Sequence, residues 1–96
     1  MTLVHTYDLT SHPGQEDALG GALDELSQAV KSIPGSQGAM VLRDRKDTNR
    51  FLFLEFWEDE ASRKAAGSQL PKDVMGKIMG AVGGPIKMAD FDRLSG

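Results

Sequence analysis

The chain has 96 residues, a formal net charge of −3 at pH 7 and no cysteine, and this length predicts a single domain over residues 1–96. The lack of cysteine excludes disulfides and thiolate chemistry, and the acidic balance argues against nucleic acid as a partner. No apolar run approaches the roughly 18 residues that a membrane span needs, and the N-terminus lacks a signal-peptide pattern. We therefore expect a soluble, cytoplasmic protein.

The first third of the chain predicts a strand and a long helix. Residues 2–9 are rich in strand formers, and alternation places His5 and Tyr7 on one face. A helix is predicted from about Gln15 to Ile33, because its apolar residues recur at three- and four-residue spacing. Pro34-Gly35 ends this helix.

The middle of the chain predicts a hairpin followed by a short helix. Residues 36–44 predict the second strand, and a polar turn leads into a third strand over residues 50–57. Both alternate sets of side chains in the third strand are largely apolar, so we expect this strand to be covered on both faces. A short helix is predicted over about residues 60–67, with Glu58 or Asp59 at its start.

The end of the chain predicts another helix and a final strand. Pro71 suits the first turn of the helix, and Gly83-Gly84-Pro85 ends it before a strand over 86–94. The order β-α-β-β-α-β, with its second helical region split, predicts an α+β fold of the ferredoxin-like class. Such a fold has a four-stranded antiparallel sheet with helices on one face. The other face then needs a partner, because a chain this short has no helices left to cover it.

Three segments of the chain resemble the antibiotic biosynthesis monooxygenase family: Pro13 to Glu16, Ile33 to Gly38, and Asn49 to Ala61. The resemblance extends over nearly the whole chain. It implies a dimeric α+β barrel, in which the helix-free sheet face packs on the same face of a second subunit to give an isologous homodimer. Some members oxygenate aromatic polyketides or quinols with molecular oxygen and without metal or flavin. The resemblance thus implies a cofactor-independent monooxygenase with a small aromatic ligand in a pocket between sheet and helices.

The chain departs from the family pattern just after the third segment. Many quinol-oxygenase-like members carry histidines there, whereas the stretch from Lys64 to Pro71 has none. This departure favours an alternative function, a non-catalytic small-molecule-binding dimer of the same fold. An isomerase or cyclase-like activity on a polyketide is a further alternative, because it needs the same pocket and the same acid–base groups. Haem degradation is not expected. Relatives with that activity use a Trp and a His at about the positions where this chain has Ala66 and Gly76.

The candidate catalytic residues are His5, Tyr7 and Glu55. The His5 imidazole can act as a base near neutral pH, and Tyr7 can donate to a developing oxyanion; the alternative is a half-buried pair at the dimer interface. Glu55 lies between two aromatic residues on one strand face, so burial would raise its pKa and make it a base. Its alternative role is an ion pair with Arg43 or Arg50 on the hairpin.

The candidate substrate-binding residues are apolar or aromatic: Phe53, Trp57, Met75 and Met79. The flat indole of Trp57 suits an aromatic ligand, although a structural plug at the end of a strand is the alternative. Met75 and Met79 are adaptable side chains that suit a pocket wall, and core packing is their alternative role. No metal site is predicted, because two histidines seven residues apart form no metal-binding motif.

Overall fold

The structure, a computed structural model, describes residues 2–96. Its strands are β1 (Leu3–Thr10), β2 (Ser36–Arg43), β3 (Arg50–Trp57) and β4 (Lys87–Asp92), and its α-helices are α1 (Glu16–Val30), α2 (Glu60–Ala66) and α3 (Lys72–Ala81). The predicted element order is confirmed, but α1 ends at Val30 rather than Ile33. Pro34 accounts for the earlier end, because it has no N–H to donate to the Val30 carbonyl, which instead accepts from the Ile33 N–H at 3.1 Å. None of the helices in this part of the chain is long and apolar enough to cross a membrane.

The four strands form one antiparallel sheet in the order β2-β3-β1-β4. This order, with the helices on one face, confirms the predicted ferredoxin-like fold. In the register, His5 lies opposite Glu55 on β3 and opposite Asp90 on β4. Directly opposed residues of an antiparallel pair place their side chains on the same face. The sheet therefore brings these three polar groups side by side on its helix-covered face.

The core lies between the sheet and the helices. Along β3 the residues alternate without exception between buried and half-buried, and Phe53 and Trp57 are 0% and 1% exposed. Leu19 and Leu23 of α1 and Ile78 of α3 pack against this buried set. The odd-numbered residues of β3 thus face the helices and the even-numbered residues face away, a choice between the two sets that alternation alone left open.

The second face of the sheet, which we call the open face, carries no helix. Its apolar members are Val4, Met40, Leu42, Leu52, Leu54, Phe56 and Phe91. Met40 is 46% exposed and Phe91 57% exposed, which is high for large apolar side chains on a sheet. A groove of about 310 Å³ runs across this face between Leu54 and Phe91. The two apolar sets of β3 therefore have different surroundings in the single chain.

Two local contacts hold α2 against the end of the sheet. The Asp59 carboxylate caps the helix by accepting a hydrogen bond from the Ser62 backbone N–H at 2.8 Å. The Glu58 backbone N–H donates to the Gly35 carbonyl at 2.9 Å. Gly35 has a φ of +83°, and a Cβ added to it would lie 2.2 Å from Ser62 Oγ. Only glycine therefore allows the turn after α1 to approach α2 this closely.

Candidate active site

A cavity of about 240 Å³ lies between the sheet and α2, and we call it the sheet–α2 cavity. The sheet lines it with His5, Tyr7, Glu55 and Trp57, and the helical segment lines it with Arg63, Lys64, Ala66, Gly67 and Leu70. An apolar cavity of about 150 Å³ holds a benzene molecule. The sheet–α2 cavity therefore has room for a substituted ring or two fused rings.

Glu55 is the most deeply buried ionisable side chain of this cavity, with 2% of its surface exposed. Its Oε1 accepts a hydrogen bond from the Trp57 indole N–H at 3.2 Å, while its buried Oε2 has no hydrogen-bond partner among residues 2–96. Burial raises the pKa of Glu55, and the Trp57 hydrogen bond and the Arg63 charge offset this only in part. The carboxylate is therefore primed to accept a proton.

The expected ion pair between Glu55 and Arg43 or Arg50 is wrong. Arg50 binds Asp8 at 2.8 Å and Asp44 at 3.1 Å instead. As an even-numbered residue of β3, it points to the opposite face from Glu55. The Arg43 guanidinium donates to the Thr48 carbonyl at 2.8 Å, beyond the reach of Glu55. No arginine of the hairpin neutralises the buried carboxylate.

Tyr7 lines the sheet–α2 cavity as a protonated phenol. Burial, and after it the nearby Glu55 carboxylate, raises the pKa of Tyr7 well above its ordinary value. The phenol therefore keeps its proton at neutral pH. The Tyr7 ring meets His5 edge-on, with the ring centroids 4.7 Å apart. This contact fixes the phenol beside the imidazole in the wall of the sheet–α2 cavity.

His5 is buried and paired with Asp90 on the edge strand. Its Nδ1 lies 2.5 Å from Asp90 Oδ1, and a carboxylate partner on one ring nitrogen fixes the orientation of the ring. When Nδ1 carries the proton, Nε2 is the basic nitrogen. His5 and Tyr7 lie on the helix-covered face, and not on the open face where we expected a second subunit. In the described part of the chain, no group of three or more His, Asp or Glu side chains can hold a metal ion.

Arg63 is a member of this site that the sequence did not reveal. Its Nε is buried and makes no hydrogen bond within residues 2–96, and the nearest carboxylate oxygen, Asp90 Oδ1, is 3.7 Å away. Arg63 and the buried Ala66 lie at i and i+3 in α2, the spacing of one helix face. That spacing was the available signal, and it predicts that Arg63 faces the sheet with Ala66.

A model of the family described as antibiotic biosynthesis monooxygenase matches residues 3–69. The chain belongs to this family. The matched segment contains every residue that lines the sheet–α2 cavity except Leu70. A comparison with curated protein sequences finds no match.

Solved structures show the same fold at low sequence identity. SnoaB from Streptomyces nogalater, a cofactor-independent oxygenase, is 14% identical with a TM-score of 0.84, over 99% of this chain and 95% of SnoaB. Rv0793 from Mycobacterium tuberculosis is 12% identical with a TM-score of 0.83, over 100% and 98% of the two chains. NE2512 from Nitrosomonas europaea, a protein of unknown function, is 21% identical with a TM-score of 0.82, over 99% and 91%. At these identities the likeness shows the fold alone.

Within this monooxygenase-family fold, the predicted site residues fall into three places. His5, Tyr7, Glu55 and Trp57 meet in the sheet–α2 cavity. Phe53 and Met75 instead line a separate apolar void of about 30 Å³, which shares only Tyr7 with that cavity and is too small for an aromatic ligand. Met79 lines neither space, because it points to solvent from α3 and is 62% exposed.

Proposed function

We propose that this protein is a cofactor-independent monooxygenase that acts on a small aromatic substrate, a quinol or polyketide-like compound, in the sheet–α2 cavity. The observation that carries the proposal is the Glu55 carboxylate, which is 2% exposed and has an unpaired Oε2 within the described chain. A buried carboxylate with a raised pKa is a suitable general base at neutral pH. Membership of the antibiotic biosynthesis monooxygenase family supports the same reaction class.

The proposed reaction begins when Glu55 accepts a proton from the bound aromatic. The resulting electron-rich anion reacts with dioxygen, and a carbon–oxygen bond forms to give a hydroperoxide. A ring carbon that bears two hydrogens, as in the keto form of a naphthol, then becomes a carbonyl. One oxygen atom stays in the product, and the second leaves as water with the two hydrogens. The protein supplies a proton acceptor and a fixed geometry, and the substrate supplies the electrons.

The other cavity residues assist this chemistry in distinct ways. The Tyr7 hydroxyl, which keeps its proton, donates a hydrogen bond to oxygen atoms that gain negative charge. The Trp57 indole lines the cavity and donates its N–H to Glu55, which holds the carboxylate in place. The His5–Asp90 pair offers a second proton acceptor.

Oxygen uptake with a panel of hydroquinones and naphthols tests the proposal. We expect turnover by the native protein and a loss of at least about 100-fold in Glu55→Gln, because general-base catalysis contributes about that much or more. Glu25→Gln is the matched control, since Glu25 is exposed and pairs with Lys77 at 3.2 Å, away from the cavity. Equal rates in the native protein and Glu55→Gln across the panel would refute the assignment of Glu55 as the base.

A second candidate function is binding of a small aromatic without oxygenation. The observation that favours it is the absence of histidine from Lys64 to Pro71, where many family members carry one. Calorimetric binding of panel compounds together with no oxygen consumption would support this candidate over the oxygenase.

We also propose that the protein forms a homodimer through the open face. The apolar set of β3 on this face, with Met40 and Phe91 beside it, is exposed in the single chain. A second copy would cover it by packing the same face in return. We expect a dimer at micromolar concentration by sedimentation and a monomer after Leu54→Asp. Met79→Asp, on the exposed side of α3, is the control and should remain dimeric. A monomeric native protein would rule the dimer out.

A further inference from the structure

Two buried polar groups of opposite hydrogen-bonding character lack partners in the same cavity. Glu55 Oε2 is an acceptor, Arg63 Nε is a donor, and neither makes a hydrogen bond within residues 2–96. They are the buried side-chain atoms of the described chain that lack a partner, and both belong to residues that line the sheet–α2 cavity. Buried polar groups are nearly always paired, so each such group calls for an explanation.

The two groups do not satisfy each other. The Arg63 charge lowers the pKa of Glu55, but the carboxylate nearest to Arg63 Nε is that of Asp90, at 3.7 Å. The two residues belong to different elements, Arg63 to α2 and Glu55 to β3, and α2 packs closely on the turn at Gly35. Both residues line the sheet–α2 cavity, so a ligand there lies between Glu55 on the sheet and Arg63 on the helix.

We propose that the substrate is an aromatic compound with two oxygen functions, a hydroxyl that donates to Glu55 and a carbonyl or carboxylate oxygen that accepts from Arg63. This inference rests on the proposed function only in taking the sheet–α2 cavity as the substrate site. Each oxygen function satisfies one buried group, so a ligand with both functions leaves neither group unpaired. A ligand with one function leaves the other group buried and unsatisfied, which weakens its binding.

The cavity also sets the size of this substrate. Its volume of about 240 Å³ admits one or two fused rings. The apolar surfaces of Trp57 and Leu70 suit the faces of such a ring system. When the hydroxyl gives its proton to Glu55, charge that spreads to a conjugated carbonyl oxygen lies against the Arg63 guanidinium. The same contact that selects the ligand thus stabilises its anion.

Anaerobic titration calorimetry with four naphthalenes tests the inference. Two of them, 1-hydroxy-2-naphthoate and 6-hydroxy-2-naphthoate, carry both functions at different spacings, whereas 2-naphthol and 2-naphthoate carry one each. We expect at least one of the two-function compounds to bind about tenfold or more tightly than both single-function compounds. If neither two-function isomer binds more tightly than 2-naphthol and 2-naphthoate, the preference is absent and the inference fails.

Variants then assign the preference to Arg63. Arg63→Gln should reduce the affinity for the preferred compound to about that for 2-naphthol, while the affinity for 2-naphthol itself changes little. Arg45→Gln, at an exposed arginine of the hairpin turn, is the matched control and should retain the preference. An equal loss for all four compounds in Arg63→Gln would mean that the change disrupts the cavity, and would overturn the specific role of Arg63.

The single Trp of the chain reports where the compounds bind. The indole N–H resonance of Trp57 should shift when the preferred compound is added, because its hydrogen bond to Glu55 lies in the cavity wall. Binding without such a shift would place the ligand elsewhere and overturn the inference. These measurements exclude oxygen, so their result is separate from turnover. If the binding preference is observed but no oxygen is consumed, the proposed oxygenase function fails, whereas the proposed ligand class is supported.

Discussion

The turn that follows α1 should be far less tolerant of a side chain than a second turn of the same kind. His12-Pro13-Gly14-Gln15 and Ile33-Pro34-Gly35-Ser36 are both Pro-Gly turns closed by an i to i+3 hydrogen bond of 3.0 Å. Gly14 and Gly35 both have a φ of +83°. A Cβ at Gly14 meets nothing within 4 Å, whereas one at Gly35 would lie 2.2 Å from Ser62 Oγ.

The expected cost of Gly35→Ala therefore has two parts. The positive φ costs any residue with a Cβ about 1–2 kcal/mol, and Gly14→Ala has this part alone. Gly35→Ala also forces the side chain of Ser62 and the start of α2 to move, and overpacking of this kind costs about 1–3 kcal/mol. The sum is about 2–5 kcal/mol. The difference between the two variants measures how closely the turn packs on α2.

Urea denaturation, followed by Trp57 fluorescence at one fixed protein concentration, measures these costs from the midpoint and slope. We expect the midpoint of Gly35→Ala to lie well below that of Gly14→Ala. Combining Gly35→Ala with Ser62→Gly removes the two nearest atoms, so in that background the glycine substitution should cost no more than it does at Gly14. Equal costs at Gly14 and Gly35 in the native background would refute the packing of α2 described above.

Two further predictions concern buried residues of β3. Glu55→Gln should stabilise the protein near pH 8, because burial raises the pKa of Glu55 in the folded state and each unit of that rise costs about 1.4 kcal/mol once the group is ionised. This gain in stability should shrink as the pH falls to about 4, because the Glu55 carboxyl then becomes protonated in both the folded and the unfolded protein. Urea midpoints measured from pH 4 to 8 test this. A gain that grows as the pH falls would contradict it. Phe53→Ala should cost about 3–5 kcal/mol, because Phe53 is 0% exposed, whereas the exposed Met79→Ala should cost less than about 0.5 kcal/mol in the same measurement. A Phe53→Ala cost as small as that of Met79→Ala would contradict the described core.

Sequence reasoning was most successful for features that depend on neighbouring residues. Three such features were predicted: the bounds of β3, a helix start at Glu58 or Asp59, and different surroundings for the two alternate sets of β3 side chains. Each follows from a local rule, namely side-chain alternation along a strand or capping of a helix start. The end of α1 was missed because the apolar spacing continues to Ile33, whereas Pro34 removes the hydrogen-bond donor for the Val30 carbonyl four residues earlier.

Sequence reasoning was least successful for residues that meet through long-range pairing or helix rotation. Met75 and Met79 occupy one apolar stripe, yet Met75 lies at the core and Met79 points to solvent. The stripe is wide, so only the packing of α3 on α1 decides which part of it is buried. In the same way, the spacing of Arg63 allowed an inward position, and only the docking of α2 decided it.

The sequence by itself determined the fold class and the family. It also placed His5 with Tyr7 on one face of β1, and Glu55 with Trp57 on one face of β3, because alternation is a property of the chain. Only strand pairing in the tertiary structure brought these two sets together beneath the helices. The tertiary structure alone decided which charges surround that face. Asp90 reaches His5 across 85 positions of sequence, since β4 pairs with β1. Arg63 shares a cavity with Glu55 because Gly35 lets α2 pack closely on the turn after α1. Contacts of this kind depend on the path of the whole backbone, and no local pattern encodes them.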